Sequence, residues 1–145
     1  MTAAGRERKL FELEEARSTL PLVSRIVGDI VEITGVMGEV YLEVRQAAEL
    51  YDRDRIEELR SRLVEFADAH VELFEELASL GVEMKDPEIG LVDFPARLDG
   101  RVVYLCWKLG EETIDHWHEL TTGFGGREPV EGNFDPATAS SSNQA

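Results

Sequence analysis

Residues 21–51 read PLVSRIVGDIVEITGVMGEVYLEVRQAAELY. Val23, Ile26, Ile30, Ile33, Met37, Val40, Val44, Ala47 and Tyr51 recur at spacings that alternate between three and four. That rhythm is the apolar seam of a long α-helix packing at a shallow angle against another helix. Val27, Val31, Tyr41 and Ala48 widen the stripe. At 1.5 Å per residue the helix spans roughly 46 Å. Pro21 stands at its first turn, where a missing N–H costs nothing. Ser24, Gly28 and Gly35 fall near one line, with Gly38 close by, so a partner helix is expected to approach closely there, the plain alternative being a local kink.

Upstream, residues 12–20 read as a separate short helix with Leu13, Ala16 and Leu20 on one face, and residues 9–11 as a short strand. Downstream, Asp54 followed three residues later by Glu57 resembles a capping box that opens a second helix after a short connection. Its seam is Ile56, Leu59, Leu63, Phe66, His70, Leu73, Leu77 and Leu80, with Val64, Ala67, Val71, Phe74 and Ala78 as a parallel stripe. Gly81 is the expected stop. A short link between long helices makes them antiparallel neighbours.

The period then changes. Two strand-like runs, Leu91–Leu98 and Arg101–Lys108, flank Asp99-Gly100, a strong type I′ hairpin signal. In that register Val92 faces Trp107, Phe94 faces Leu105 and Ala96 faces Val103, which makes one apolar face. Asp93, Arg97, Tyr104, Cys106 and Lys108 lie on the other. Pro95 falls opposite Tyr104 and marks Leu91–Leu98 as an edge, so a third strand is expected against Arg101–Lys108, with residues 9–11 as its candidate. Residues 110–120 fit either a short helix or an extended segment, and Gly123, Gly125 and Gly126 form a loop around Phe124. The fold class is therefore α+β, mostly α: a long two-helix hairpin, a small β-hairpin module and a short C-terminal helix or turn. It forms a single domain over residues 1–130, with 131–145 a disordered tail.

The bulk properties narrow the function. The chain has 145 residues, 30 acidic against 15 basic, and a net charge of −15. Nucleic acid and anionic membrane surfaces both call for a basic footprint and are not expected partners. No run approaches the roughly 20 apolar residues of a membrane span. The start, MTAAGRERKL, lacks the apolar core of a signal peptide, so a cytoplasmic location is expected. The single cysteine, Cys106, excludes an intramolecular disulfide.

Three stretches carry a family resemblance: FELEEARSTLP at 11–21, LGVEMKDPEIGLVDFPARLDGRVVYLCWKLGE at 80–111 and HWHELTTGFGGREPV at 116–130. Over most of 11–130 the chain resembles the uncharacterised prokaryotic family catalogued as domain of unknown function 2203. Asp93, Pro95, Trp107, Gly110, Glu111, Trp117, His118, Gly123 and Arg127 match its pattern. The resemblance implies a helical hairpin with a small C-terminal α+β element. It implies no activity, cofactor or catalytic residue.

The polar residues with most chemistry lie in 111–119: Glu111, Asp115, His116, His118 and Glu119. If 110–120 is helical, Glu111, Asp115 and His118 share a face. If it is extended, His116 and His118 do. Carboxylate with imidazole suits a divalent metal, and Asp93 and Cys106 on the polar hairpin face can approach the cluster. The plain alternative is a capped turn with His118 hydrogen-bonded to a neighbour. His70, on an apolar seam without a Glu-x-x-His partner, reads as a satisfied interior or edge histidine. Cys106 reads as a buried small hydrophobe rather than a nucleophile. Arg127 binds an anion or, more plainly, pairs with a carboxylate such as Glu111. Each helix carries two adjacent apolar stripes, more than one antiparallel pair and one hairpin can cover. The leading expectation is thus a non-enzymatic homodimer, seamed by Ile26, Ile30, Ile33, Met37, Val40 and Val44, that acts in assembly or docks a protein partner. The alternative is a small metal-binding protein or metal-dependent enzyme centred on Glu111 and His118.

Overall fold

The computed structural model describes residues 8–134. Helix α1 spans Leu13–Glu49 and α2 spans Arg53–Ser79, packed side by side as the seams predict. Pro21 lies inside α1 rather than at its start, so the two helices expected over 12–20 and 21–51 are one. A mid-helix proline costs about 3 kcal/mol. Ala16, Leu20, Val23, Ile26, Val27 and Ile30 are all buried around it. At about 1.5–3 kcal/mol for each large aliphatic side chain, they outweigh that cost. The Glu12 N–H donates to Glu15 Oε1 at 3.4 Å and caps the first turn.

The connection between the helices is tighter than expected. Tyr51 takes a left-handed φ of 55°, and the Asp52 N–H reaches back to the Ala47 carbonyl at 3.0 Å. Asp52 therefore becomes the cap, accepting from the Arg55 N–H at 3.1 Å, two residues before the expected Asp54. A Cβ built at Gly28, Gly35 or Gly38 meets nothing within 4 Å. The close helix approach expected along that line does not occur within this chain.

Five antiparallel strands follow in the order β1 (Glu83–Asp86), β2 (Leu91–Leu98), β3 (Arg101–Lys108), β4 (His116–His118) and β5 (Glu128–Pro129). Asp99 and Gly100, with φ of 52° and 79°, make the expected turn. The pairs Val92–Trp107, Phe94–Leu105, Pro95–Tyr104 and Ala96–Val103 form as read. Strand β2 is not an edge, however. β1 pairs with its first half, and Phe11 forms a parallel bridge to Ala96, its N–H donating to the Pro95 carbonyl at 2.7 Å. Residues 9–11 thus form no strand: Phe11 alone meets β2, and the partner of β3 is β4. Within residues 110–120 the chain turns and bends before His116–His118 runs extended as β4, and the helical option after the hairpin reduces to a 3₁₀ turn at Phe124–Gly126. Residues 131–134 form a turn that sets Phe134 against Trp117, with ring centroids 6.1 Å apart. The remainder of the expected tail, 135–145, lies outside the described residues.

The main core lies between the first half of α1 and one face of the sheet. It contains Val23, Ile26 and Ile30 from the helix and Val92, Phe94, Leu105, Trp107 and Trp117 from the strands. A second, smaller cluster, Val40, Ala47 and Leu59, lies between the helices farther out. Of the seam residues, Val44 packs against this second cluster, and Ile33 and Met37 are half-buried. No helix among the described residues is long and apolar enough to cross a membrane.

Candidate functional site

The site grows from strand register. Asp93 on β2 is paired with Cys106 on β3, and Cys106 with His116 on β4. Side chains alternate along a strand, so His118, two residues on, returns to the same face. The three neighbouring strands thereby deliver Asp93, Cys106 and His118 to one point on the face turned away from the main core. All three are buried, at 2%, 0% and 3% exposure. One ligand atom from each lies within 4.8 Å of the others.

The geometry fixes the histidine. Its Nδ1–H donates to the Glu119 carbonyl at 2.7 Å, which leaves Nε2 facing the Asp93 carboxylate, 3.1 Å from each oxygen. Two acceptor groups cannot face each other at that distance without a cation or proton between them. A carbonyl bond at one ring nitrogen is also how proteins orient the other nitrogen toward a metal. The carboxyl and the thiol both feel the enclosure. Burial pushes the Asp93 carboxyl up, against the pull of His118. Burial first, and the Asp93 charge second, push the Cys106 thiol from 9.0 up to about 12. The thiol lies within 4.8 Å of the Asp93 carboxylate, whose charge favours its protonated form. An activated nucleophile needs the reverse, a neighbouring cation or base that lowers the thiol.

Around the triad, Tyr104 lies against His118 with ring centroids 5.4 Å apart and planes tilted by 56°, and donates its hydroxyl to Glu83 Oε1 at 2.9 Å. Lys85 donates to the same oxygen at 2.9 Å. These β1 contacts had no sequence signal, because EMKD is short and polar.

Of the residues singled out in 111–119, His118 is in the group and the others are not. Glu111 Oε1 accepts from the Lys108 N–H at 2.9 Å and from Arg127 at 2.8 Å, closing the turn after β3. This is the plain ion pair read for Arg127, whose guanidinium also lies 4.7 Å over the Phe124 ring. Asp115 is exposed and meets Arg17 at 3.4 Å. His116 sits beside Pro129 in register, and its buried Nδ1 has no hydrogen-bond partner. The extended backbone explains the sorting: only in a helix would offsets of four and seven bring Glu111, Asp115 and His118 together. His70, on α2, is hydrogen-bonded to the Thr34 hydroxyl at 2.8 Å.

What the triad offers is one carboxylate, one sulfur and one imidazole, a donor set suited to zinc and other borderline divalent ions. Ionised Asp93 and Cys106 carry two negative charges. A divalent cation would leave the buried site neutral, the condition under which enclosed charges are tolerated.

No curated protein and no solved structure matches the chain. The match that exists is to a family model covering residues 9–130, which takes in both helices, all five strands and the triad. The chain belongs to the family described as an uncharacterized conserved protein, DUF2203.

Proposed function

We propose that this domain is a small, non-enzymatic metal-binding protein in which one zinc-class divalent ion joins β2, β3 and β4 through Asp93, Cys106 and His118. The observation that carries the reading is the His118 ring, with Nδ1 committed to a carbonyl and Nε2 3.1 Å from both oxygens of a buried carboxylate. Three protein ligands leave a fourth tetrahedral position for water, and because all three are buried that position is closed to substrate, which favours a structural ion over a catalytic one. Binding requires the Cys106 proton to leave, so affinity rises with pH.

Titration of the metal-stripped full chain with zinc, and with cobalt followed by its thiolate charge-transfer absorption, tests this. About one ion per chain is expected, bound more tightly at pH 8 than at pH 6. Cys106→Ser should abolish the cobalt–thiolate band, and His118→Ala should abolish stoichiometric binding. Glu111→Gln should keep both. If the folded wild type takes up no stoichiometric zinc or cobalt, the triad is a hydrogen-bonded Asp–His pair and the proposal fails.

A further inference from the structure

Beyond the sheet, the helical hairpin has two unlike flanks. The buried line Val40, Ala47 and Leu59 marks where the helices touch. Stepping about 100° per residue around each helix from that line places Glu39 and Glu43 of α1 and Glu58, Glu65 and Glu72 of α2 on one flank. Arg55 bridges the helices there, to Glu43 at 2.8 Å and to Glu58 at 2.6 Å. The same phase places Met37, Tyr41 and Ala48 of α1 and Val64, Val71 and Phe74 of α2 on the opposite flank. Val64 is 61% exposed, Val71 55% and Tyr41 56%. Arg45 and Arg60 border this strip, and Glu57, Asp68 and Glu75 stand along its outer margin, Glu75 beside Val71 and Phe74.

We propose that this flank is covered by a second copy of the chain. The two hairpins pack face to face and antiparallel across a two-fold axis, as a four-helix bundle, each arm's tip directed toward its partner's sheet. Charge selects the occupant. Two chains of net −15 repel over most of their surface, and on this apolar strip, whose acids stand only at the margin beside Arg45 and Arg60, fewer carboxylates oppose each other than on the other flank. A two-fold contact needs one patch that complements itself, and an apolar strip with alternating three-and-four spacing does so at a shallow crossing angle. The area also fits. From Arg60 to Ala78 the strip is about 27 Å long, and about 20 Å across two helices, or roughly 500 Å² of flat area. Side-chain relief brings this toward the roughly 800 Å² per partner of a standard interface.

Light scattering on the full chain across a dilution series, with circular dichroism to verify folding, tests the proposal. Wild type should show twice the 16.3 kDa chain mass. Val64→Glu with Val71→Glu changes two exposed side chains, so it should fold normally and raise the dimer dissociation constant at least about 100-fold. Leu42→Glu is the control: Leu42 is 57% exposed on the back of α1, along the line of Gly28 and Gly35, and its substitution should leave the dimer intact. A wild type of one chain's mass at every concentration overturns the proposal. So does a dimer that survives the double substitution, or one that Leu42→Glu disrupts instead.

Discussion

The base and the arm of this molecule are built on the same helices and are stabilised very differently. At the base, α1 lies on a sheet, and 20 residues form one buried apolar cluster that includes Trp107, Phe94 and Ile26. In the arm the same two helices have only each other, and the buried cluster is three residues, Val40, Ala47 and Leu59. Helices draw most of their stability from tertiary packing rather than propensity. The base is therefore the more heavily packed part, and the arm is the part with the more to gain from a covering surface. The candidate metal site belongs to the base, on the reverse face of the sheet that forms its core. The candidate interface belongs to the arm.

Truncating a large side chain in each region gives the widest separation. Phe94 is fully buried, edge-on to Phe11 with ring centroids 5.2 Å apart. Phe94→Ala should cost about 3–5 kcal/mol of global stability. Val40, though equally buried, sits in a cluster that can collapse on itself, and Val40→Ala should cost about 1–2 kcal/mol. Denaturant unfolding of both variants checks the pair. Equal losses would mean that the arm is as firmly packed as the base.

A smaller effect separates the regions by pH. In the folded base the Cys106 thiol keeps its proton up to about 12, whereas an ordinary thiol loses it near 9.0. Between those values the unfolded chain releases a proton that the folded chain retains. Stability from this group is complete below pH 9 and declines as pH rises toward 12, by up to about 1.4 kcal/mol per pH unit. Cys106→Val removes the titrating group, and its metal-free stability should fall less steeply than wild type over pH 9–10. Val40→Ala, in the arm, should shift the whole curve and leave the slope unchanged. Stability curves at several pH values decide it, and a Cys106→Val slope equal to wild type would mean that the thiol is not enclosed.

The same division decides what could be read from the residues. The arm and the β2–β3 hairpin follow from local patterns: alternating apolar spacing, Asp99-Gly100 and Gly81. The rest depends on contacts between distant parts of the chain. Nothing local in EMKD marks β1, and only the sheet beneath α1 carries that helix through Pro21. The candidate site divides in the same way. The facing of Asp93 and Cys106 was legible from hairpin register. Whether His118 joins them turns on the extended path of His116–His118 beside β3, which short-range periodicity does not determine.

The smallest effect tests the joint at the tip of the arm, where a local pattern pointed two residues too far along. Asp52, not Asp54, accepts from the first turn of α2, because Tyr51 turns left-handed and ends α1 abruptly. Removing an N-cap carboxylate costs about 1 kcal/mol. At the tip, with little buried around it, that loss should appear as local fraying rather than global unfolding. Asp52→Ala should therefore speed hydrogen exchange in residues 45–60 about fivefold and leave β2 and β3 unchanged. Asp54→Ala should have a smaller effect on the same amides. If Asp54→Ala is the more damaging substitution, the cap lies where the sequence pattern put it. If Asp52→Ala lowers protection in the strands as well, the arm and the base unfold together, and the contrast between them is one of packing density alone.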